Sequence, residues 1–157
     1  MKNLNTAKDL ADILDRVDKL TPKSRAAWGK MTVNTMLCHT ADYFRMMTGD
    51  IPTKRRHSYL YQNFMKWWIL RQQQLPRLMP TVLEIDPKLS HNTIPTTFDN
   101  DLFILKKFLL NFVILHEKEL VSHPRFGKLN KVELGRLLYL HFDHHLRQFG
   151  CWFWVLG

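Results

Sequence analysis

Cysteine is scarce in this chain: 157 residues contain only Cys38 and Cys151. Two thiols cannot build a disulfide framework, and a chain of this length buries a core without one. A reducing compartment, the cytoplasm, is therefore the expected location. Long apolar runs are missing too, since none approaches the ~18 residues needed to cross a bilayer. Charges throughout the first twenty residues, from Lys2 and Lys8 to Asp18 and Lys19, leave no apolar centre for a signal peptide. There is no solenoid-period repeat, no low-complexity tract, and no Asn-Gly or Asp-Gly turn between alternating runs. Repeat arrays, disorder and hairpin-built β folds are set aside on those grounds. One absence is local: no acidic residue lies between Asp50 and Glu84, where Lys54, Arg55, Arg56, Lys66, Arg71 and Arg77 supply six of the net nine positive charges.

What is present reads as helices. Hydrophobic residues at 45% and charged residues at 24% are ordinary for a folded protein. The length fits one domain, residues 1–157. Leu10, Ile13, Leu14 and Val17 recur at helical spacing behind a Thr6/Asp9 capping pair, which predicts a helix from about Thr6 to Lys19. Thr32 opens a second helix whose apolar face includes Val33, Met36, Leu37, Ala41, Phe44 and Met47, and Gly49 ends it. Leu60, Tyr61, Phe64, Trp67 and Trp68 predict a helix inside the basic stretch, and four prolines from Pro76 to Pro95 mark an irregular crossover. Phe98, a capping Asp99 and Phe103 predict a hydrophobic staple opening a helix that runs to about Val121. Asn130 and Glu133 form a capping box for a long last helix. The expected fold is all-α: a four-helix bundle with a long crossover carrying an extra helix.

Eight histidines are the unusual count. Projected at about 100° per residue, His141 and His145 both fall between Leu137 and Leu138 and point into the bundle. At i and i+4 their Cβ atoms lie about 5–6 Å apart, near enough for two imidazoles to share a metal. Imidazoles aimed into an apolar core are costly unless partnered, so chelation competes with a core hydrogen-bonding role. Two histidines make a weak site, and a third ligand must come from another helix. His39 is the candidate, at the margin of its apolar arc. His116, projecting into the apolar face of its helix, is not excluded by spacing. His57, His91 and His123 fall on turns or boundaries and read as solvated or locally hydrogen-bonded.

His39 on the second helix, together with His141-x-x-His144-His145-x-x-Gln148 on the last, resembles the DinB-like (YfiT-like) metal-binding four-helix bundles. More narrowly, Trp28-Gly29-Lys30-Met31, Met36-x-x-His39, His123-Pro-x-Phe-Gly and His144-His145-Leu-Arg-Gln-Phe-Gly150 resemble a subfamily of unknown function within that superfamily. The resemblance covers about Trp28 to Gly150. By position it implies His39, His141 and His145 as ligands, in preference to His116. His144 and Gln148 are implied as neighbours, and His116 stays a further possible supporting residue. Three imidazoles on a divalent ion leave a coordination position open, whereas structural zinc sites use four protein ligands. An open site can activate water or a thiol. The resemblance adds metal-dependent hydrolases and thiol S-transferases that use low-molecular-weight thiols. Imidazole suits several metals; zinc is the first expectation and nickel the second. The alternative is a non-catalytic bundle whose site is stabilising or vestigial.

The remaining features carry plainer readings. Cys38 beside His39 points about 100° away from it and reads as packing. The Tyr59, Tyr61, Trp67 and Trp68 stripe with Lys54-Arg55-Arg56 has the ingredients of a nucleic-acid surface. An aromatic stripe at helical spacing reads first as core, however, and dispersed charges as a solvated face. Nucleic acid is thus the lesser reading, and a membrane partner is not expected. Trp152, Phe153 and Trp154 should dock on the bundle or bury in a second copy, which leaves a homodimer open.

Overall fold

The computed structural model describes residues 1–77, 79–89 and 92–152. The fold is an all-helical bundle, with five α-helices among the described residues: α1 (Ala7–Val17), α2 (Val33–Met47), α3 (Tyr59–Leu70), α4 (Phe98–Asn111) and α5 (Lys131–Gln148). Short 3-10 turns cover Leu83–Ile85 and Glu117–Glu119. The only β-type pairing among the described residues is the isolated bridge between His123 and Gly127. No described helix is long and apolar enough to cross a membrane.

Local chemistry sets the helix ends. Thr6 accepts from the Asp9 N–H, while the Asp9 carboxylate turns away to the Asn3 N–H at 2.8 Å and the Lys2 ammonium at 3.1 Å. Thr32 caps α2 through Thr35 N–H, and Gly49, at φ 88°, closes it in the left-handed region that glycine tolerates best. Asn130 and Glu133 form both halves of the box at the start of α5.

Packing couples the helices into one core. α2 lies mainly on α4 and also meets α5, while α1 packs on α5 and α4. Phe44 joins three of them, stacked on Phe108 at 5.8 Å and tilted against Phe142 at 5.9 Å. Each large side chain buried this way contributes about 1.5–3 kcal/mol relative to exposure. Since α2 and α5 are neighbours, residues on their facing sides meet inside the bundle.

Three expectations need correction. The cap of α4 is Thr97, not Asp99: its hydroxyl accepts from Asn100 N–H, and Asp101 holds the Thr96 N–H and hydroxyl. Phe103 is 66% exposed, so the Phe98–Phe103 staple does not form. The same helix stops at Asn111, ten residues short of Val121. Beyond it the Lys131 ammonium, from α5, takes the carbonyls of Val113 and Leu115 and draws that segment out of helix. Finally, α3 exists as expected but shows Tyr59, Tyr61 and Trp67 of its aromatic stripe to solvent, while Trp68 packs against the core. Leu60 is 85% and Phe64 60% exposed, while Gln62 and Ile69 are buried. This helix is apolar on more than one side. Its inward face is chosen by α5 and by Gln62, whose amide donates to the Pro124 carbonyl at 3.0 Å.

Candidate metal centre

His39 comes from the middle of α2, and His141 and His145 from successive turns of α5. Their imidazoles converge. His141 Nε2 lies 3.2 Å from His39 Nε2 and 3.1 Å from His145 Nε2, and one nitrogen from each ring falls within 4.8 Å of the others. Three nitrogens bound tetrahedrally to one ion at about 2.0–2.1 Å lie about 3.3–3.4 Å apart. The observed spacings are close to that edge. His39 and His145 are buried, and His141, at the edge of a cavity, keeps partial access.

The tautomers follow from the second partner of each ring. His39 Nδ1 faces the Ile85 carbonyl at 2.9 Å; a carbonyl only accepts, so Nδ1 carries the proton. Gln148 must donate through its amide nitrogen to the Trp28 carbonyl at 2.8 Å, which leaves Oε1 to accept the His145 Nδ1 proton at 2.9 Å. Neutral His39 and His145 therefore both aim an Nε2 lone pair at His141. His141 Nε2 has at most one proton, enough for one of the two, and its buried Nδ1 has no hydrogen-bond partner. At least one of the two Nε2 lone pairs, on His39 or on His145, is left without a proton to accept. A cation resolves that conflict, and this three-histidine group could hold a metal ion.

Protonation does not offer an equally good resolution. Burial lowers the His39 pKa to about 4, against a smaller opposing effect of its Ile85 hydrogen bond. Burial also pushes His141 and His145 well below the ordinary histidine range, followed by repulsion from neighbouring imidazoles, His145 and His39 acting on His141 and His39 and His144 on His145. The rings are neutral at pH 7, the form that binds metal.

A cavity of about 230 Å³ opens beside the cluster. Trp28, Tyr43, Leu75, Val82, Phe126 and Leu137 supply much of its wall. The Trp28 loop is pinned to α5 at two points, by Gln148 and by the Ala27 N–H on the Gln148 carbonyl at 2.7 Å. Gly29 has φ 77°, and a Cβ there would sit 2.8 Å from Gln148 Nε2.

Other residues singled out in the sequence fall variously. His144 lines the cavity edge-on to Trp28, with ring centroids 6.1 Å apart, and stands apart from the three-nitrogen cluster. Gln148 touches His145 directly. His116 is exposed at the cap of the Glu117–Glu119 turn, because α4 ends before it could carry that residue inward; it has no place at the cluster. His57 is exposed beside Tyr61. His91 lies outside the described residues, as do Phe153 and Trp154; Trp152 is 45% exposed. Cys38 is buried, and its thiol pKa is pushed up to about 12 by burial and by Asp101 and Asp42, which fits packing.

His123 is locally hydrogen-bonded, one of the two readings its turn position gave, but it is not solvated. It is 2% exposed and lines the cavity, with Nδ1 accepting from the N–H groups of Arg125 at 3.1 Å and Phe126 at 3.2 Å. Its proton therefore sits on Nε2, and burial with the nearby Arg125 lowers its pKa to about 3. Tyr43, which the sequence reading passed over, lies between His123 and His141, with ring centroids 5.8 and 4.6 Å away. The signal for His123 was its place in the compact His-Pro-x-Phe-Gly turn. For Tyr43 there was only its position one helical turn beyond His39.

Comparison with known families gives one match. The model of the family described as "Protein of unknown function (DUF1569)" matches residues 3–150, and the chain belongs to that family. Searches of curated proteins and of solved structures returned no match.

Proposed function

We propose that this member of the DUF1569 family binds one divalent metal ion through the Nε2 atoms of His39, His141 and His145, and that it is an enzyme. The observation that carries the reading is the set of converging lone pairs, two of them fixed by carbonyl-defined tautomers at Ile85 and Gln148. Zinc is the first choice of metal and nickel the second, as neutral imidazole suits both. Kinship with the DinB-like bundles, carried by the motifs around His39 and His141–Gln148, belongs to the same proposal, as does a cytoplasmic location.

The reaction class that fits is a small hydrolase or a thiol S-transferase. When bound, the ion would supply Lewis acidity and lower the pKa of a water or thiol nucleophile. The chain does the rest. Ile85 and Gln148 hold two ligands in the tautomer that leaves Nε2 free. The largely apolar cavity wall and the burial of His39 and His145 lower the local polarity, which strengthens electrostatic interactions at the cluster. Tyr43 and His123 line the same space.

The test is the visible spectrum of cobalt-loaded protein titrated with a small thiol such as 2-mercaptoethanol. A shift that saturates, and that is lost in His141→Ala, supports an open position. A cobalt spectrum indifferent to thiols and to azide identifies the non-catalytic bundle instead.

A further inference from the structure

The polar groups around the cavity are unbalanced. Among the described residues that line it none is Asp or Glu, whereas Lys30, Arg77 and Arg125 stand on its wall. Arg125 is held there by the Pro80 carbonyl at 2.9 Å, and the Arg77 guanidinium lies 4.8 Å from the centre of the Trp28 ring. Two residues that line the cavity, Tyr43 and Trp28, have a hydroxyl and an indole nitrogen that are buried without a hydrogen-bond partner among the described residues. Tyr43 is only 5% exposed, so its unpaired hydroxyl carries the full cost of lost hydration. His123 adds an Nε2–H, its Nδ1 being occupied by two backbone N–H groups. These groups are donors in surplus, set in an apolar wall that includes Met79, Ile85 and Leu137.

We infer that the cavity binds a small organic anion, one acid group on an apolar body, with Tyr43 donating a hydrogen bond to the acid group at the histidine end. A cation would find no carboxylate to pair with, and a fully apolar molecule would leave the buried donors unpaired. At about 230 Å³ the cavity is below the usual range for drug-sized ligands, which restricts the apolar body to a short chain or single ring. Placing the acid group beside the imidazoles rests on the metal-site reading; the preference for an anion rests on the lining residues alone.

Calorimetric titration of zinc-treated protein with hexanoate, hexanol and hexylammonium tests this, since the three differ only in the head group. Hexanoate should bind at least ten-fold more tightly than hexanol, and hexylammonium should not bind. Tyr43→Phe should weaken hexanoate roughly ten-fold, the usual size for a hydrogen bond to a charged group, with zinc affinity retained and ligand-free thermal stability equal or higher. The inference is overturned if hexanoate does not bind, if hexanol or hexylammonium binds as well, or if the Tyr43 variant keeps full affinity. Zinc uptake is measured in the same samples. A protein that takes up no zinc yet keeps the hexanoate preference and its dependence on Tyr43 would refute the metal reading and uphold this one.

Discussion

Gln148 Oε1 accepts the Nδ1 proton of His145 at 2.9 Å while the same amide donates to the Trp28 carbonyl at 2.8 Å, so one side chain sets the tautomer of a buried imidazole and ties a loop to it. Removing it should free the ring of His145 without removing the ring. Gln148→Ala is expected to lower metal affinity by about 10–100-fold, the usual effect of losing a ligand's outer hydrogen bond. Competition titration against a chelator measures it. Gln148→Glu, which retains an acceptor at Oε1, should recover part of the loss. That recovery separates orientation of His145 from general damage to the fold.

Gly29 guards the same amide from the other side. At φ 77° an added Cβ is strained, by about 1 kcal/mol or more, and it would sit 2.8 Å from Gln148 Nε2. Gly29→Ala should therefore weaken metal binding in the same direction as Gln148→Ala, although residue 29 touches no histidine of the cluster. The double variant should lose less than the sum of the two single losses, since both act through one hydrogen bond.

Acid should unfold the metal-free protein early. The unfolded chain protonates its histidines below about pH 6.5, whereas folded His39 and His123 stay neutral down to about 4 and 3. Because the folded values are the lower ones, the contribution of neutral burial is complete above pH 6.5 and is lost as pH falls towards the folded values. Each such imidazole adds a slope of about 1.4 kcal/mol per pH unit within that window. Urea denaturation at pH 7, 6 and 5 should show stability dropping at each step. His123→Asn, which keeps an acceptor for the Arg125 and Phe126 N–H groups, should show a shallower drop.

Asp143, on a different side of α5 from the cluster, holds two buried arginines: Arg16 at 3.0 Å and Arg147 at 2.8 Å. Arg16 is 2% exposed and also donates to the Cys151 carbonyl at 2.9 Å. Truncating Asp143 leaves Arg147 buried without this carboxylate and Arg16 with only the longer pair to Asp12 at 3.7 Å, so Asp143→Ala should cost about 3–5 kcal/mol in denaturant unfolding. Cluster geometry, and with it zinc stoichiometry in the folded fraction, should be unchanged.

The parts legible in the sequence are those governed by local periodicity. His141 and His145 face one way because they are four residues apart on a helix, and Thr32, Asn130 and Glu133 cap their helices by side-chain reach alone. What the sequence hid depends on distant partners. Beyond the end of α4, Lys131 from another helix takes the Val113 and Leu115 carbonyls, and past that early end His116 is exposed. α3 has apolar residues on several sides, so periodicity could not say that Gln62 and Ile69, rather than Leu60 and Phe64, would face inward. His123 lies in a turn, where exposure is the usual outcome. Its burial comes from the Phe126 ring stacked on it at 4.6 Å and from Tyr43 across the cavity.

The central claim is that His39, His141 and His145 together hold one ion. Its most direct test is metal analysis of protein purified without a histidine tag, incubated with zinc or nickel and desalted, beside His39→Ala, His141→Ala and His145→Ala. One equivalent is expected in the wild type and a near-complete loss in each variant. A wild type that retains no metal, or variants that all retain it, would show that these three histidines do not hold an ion together.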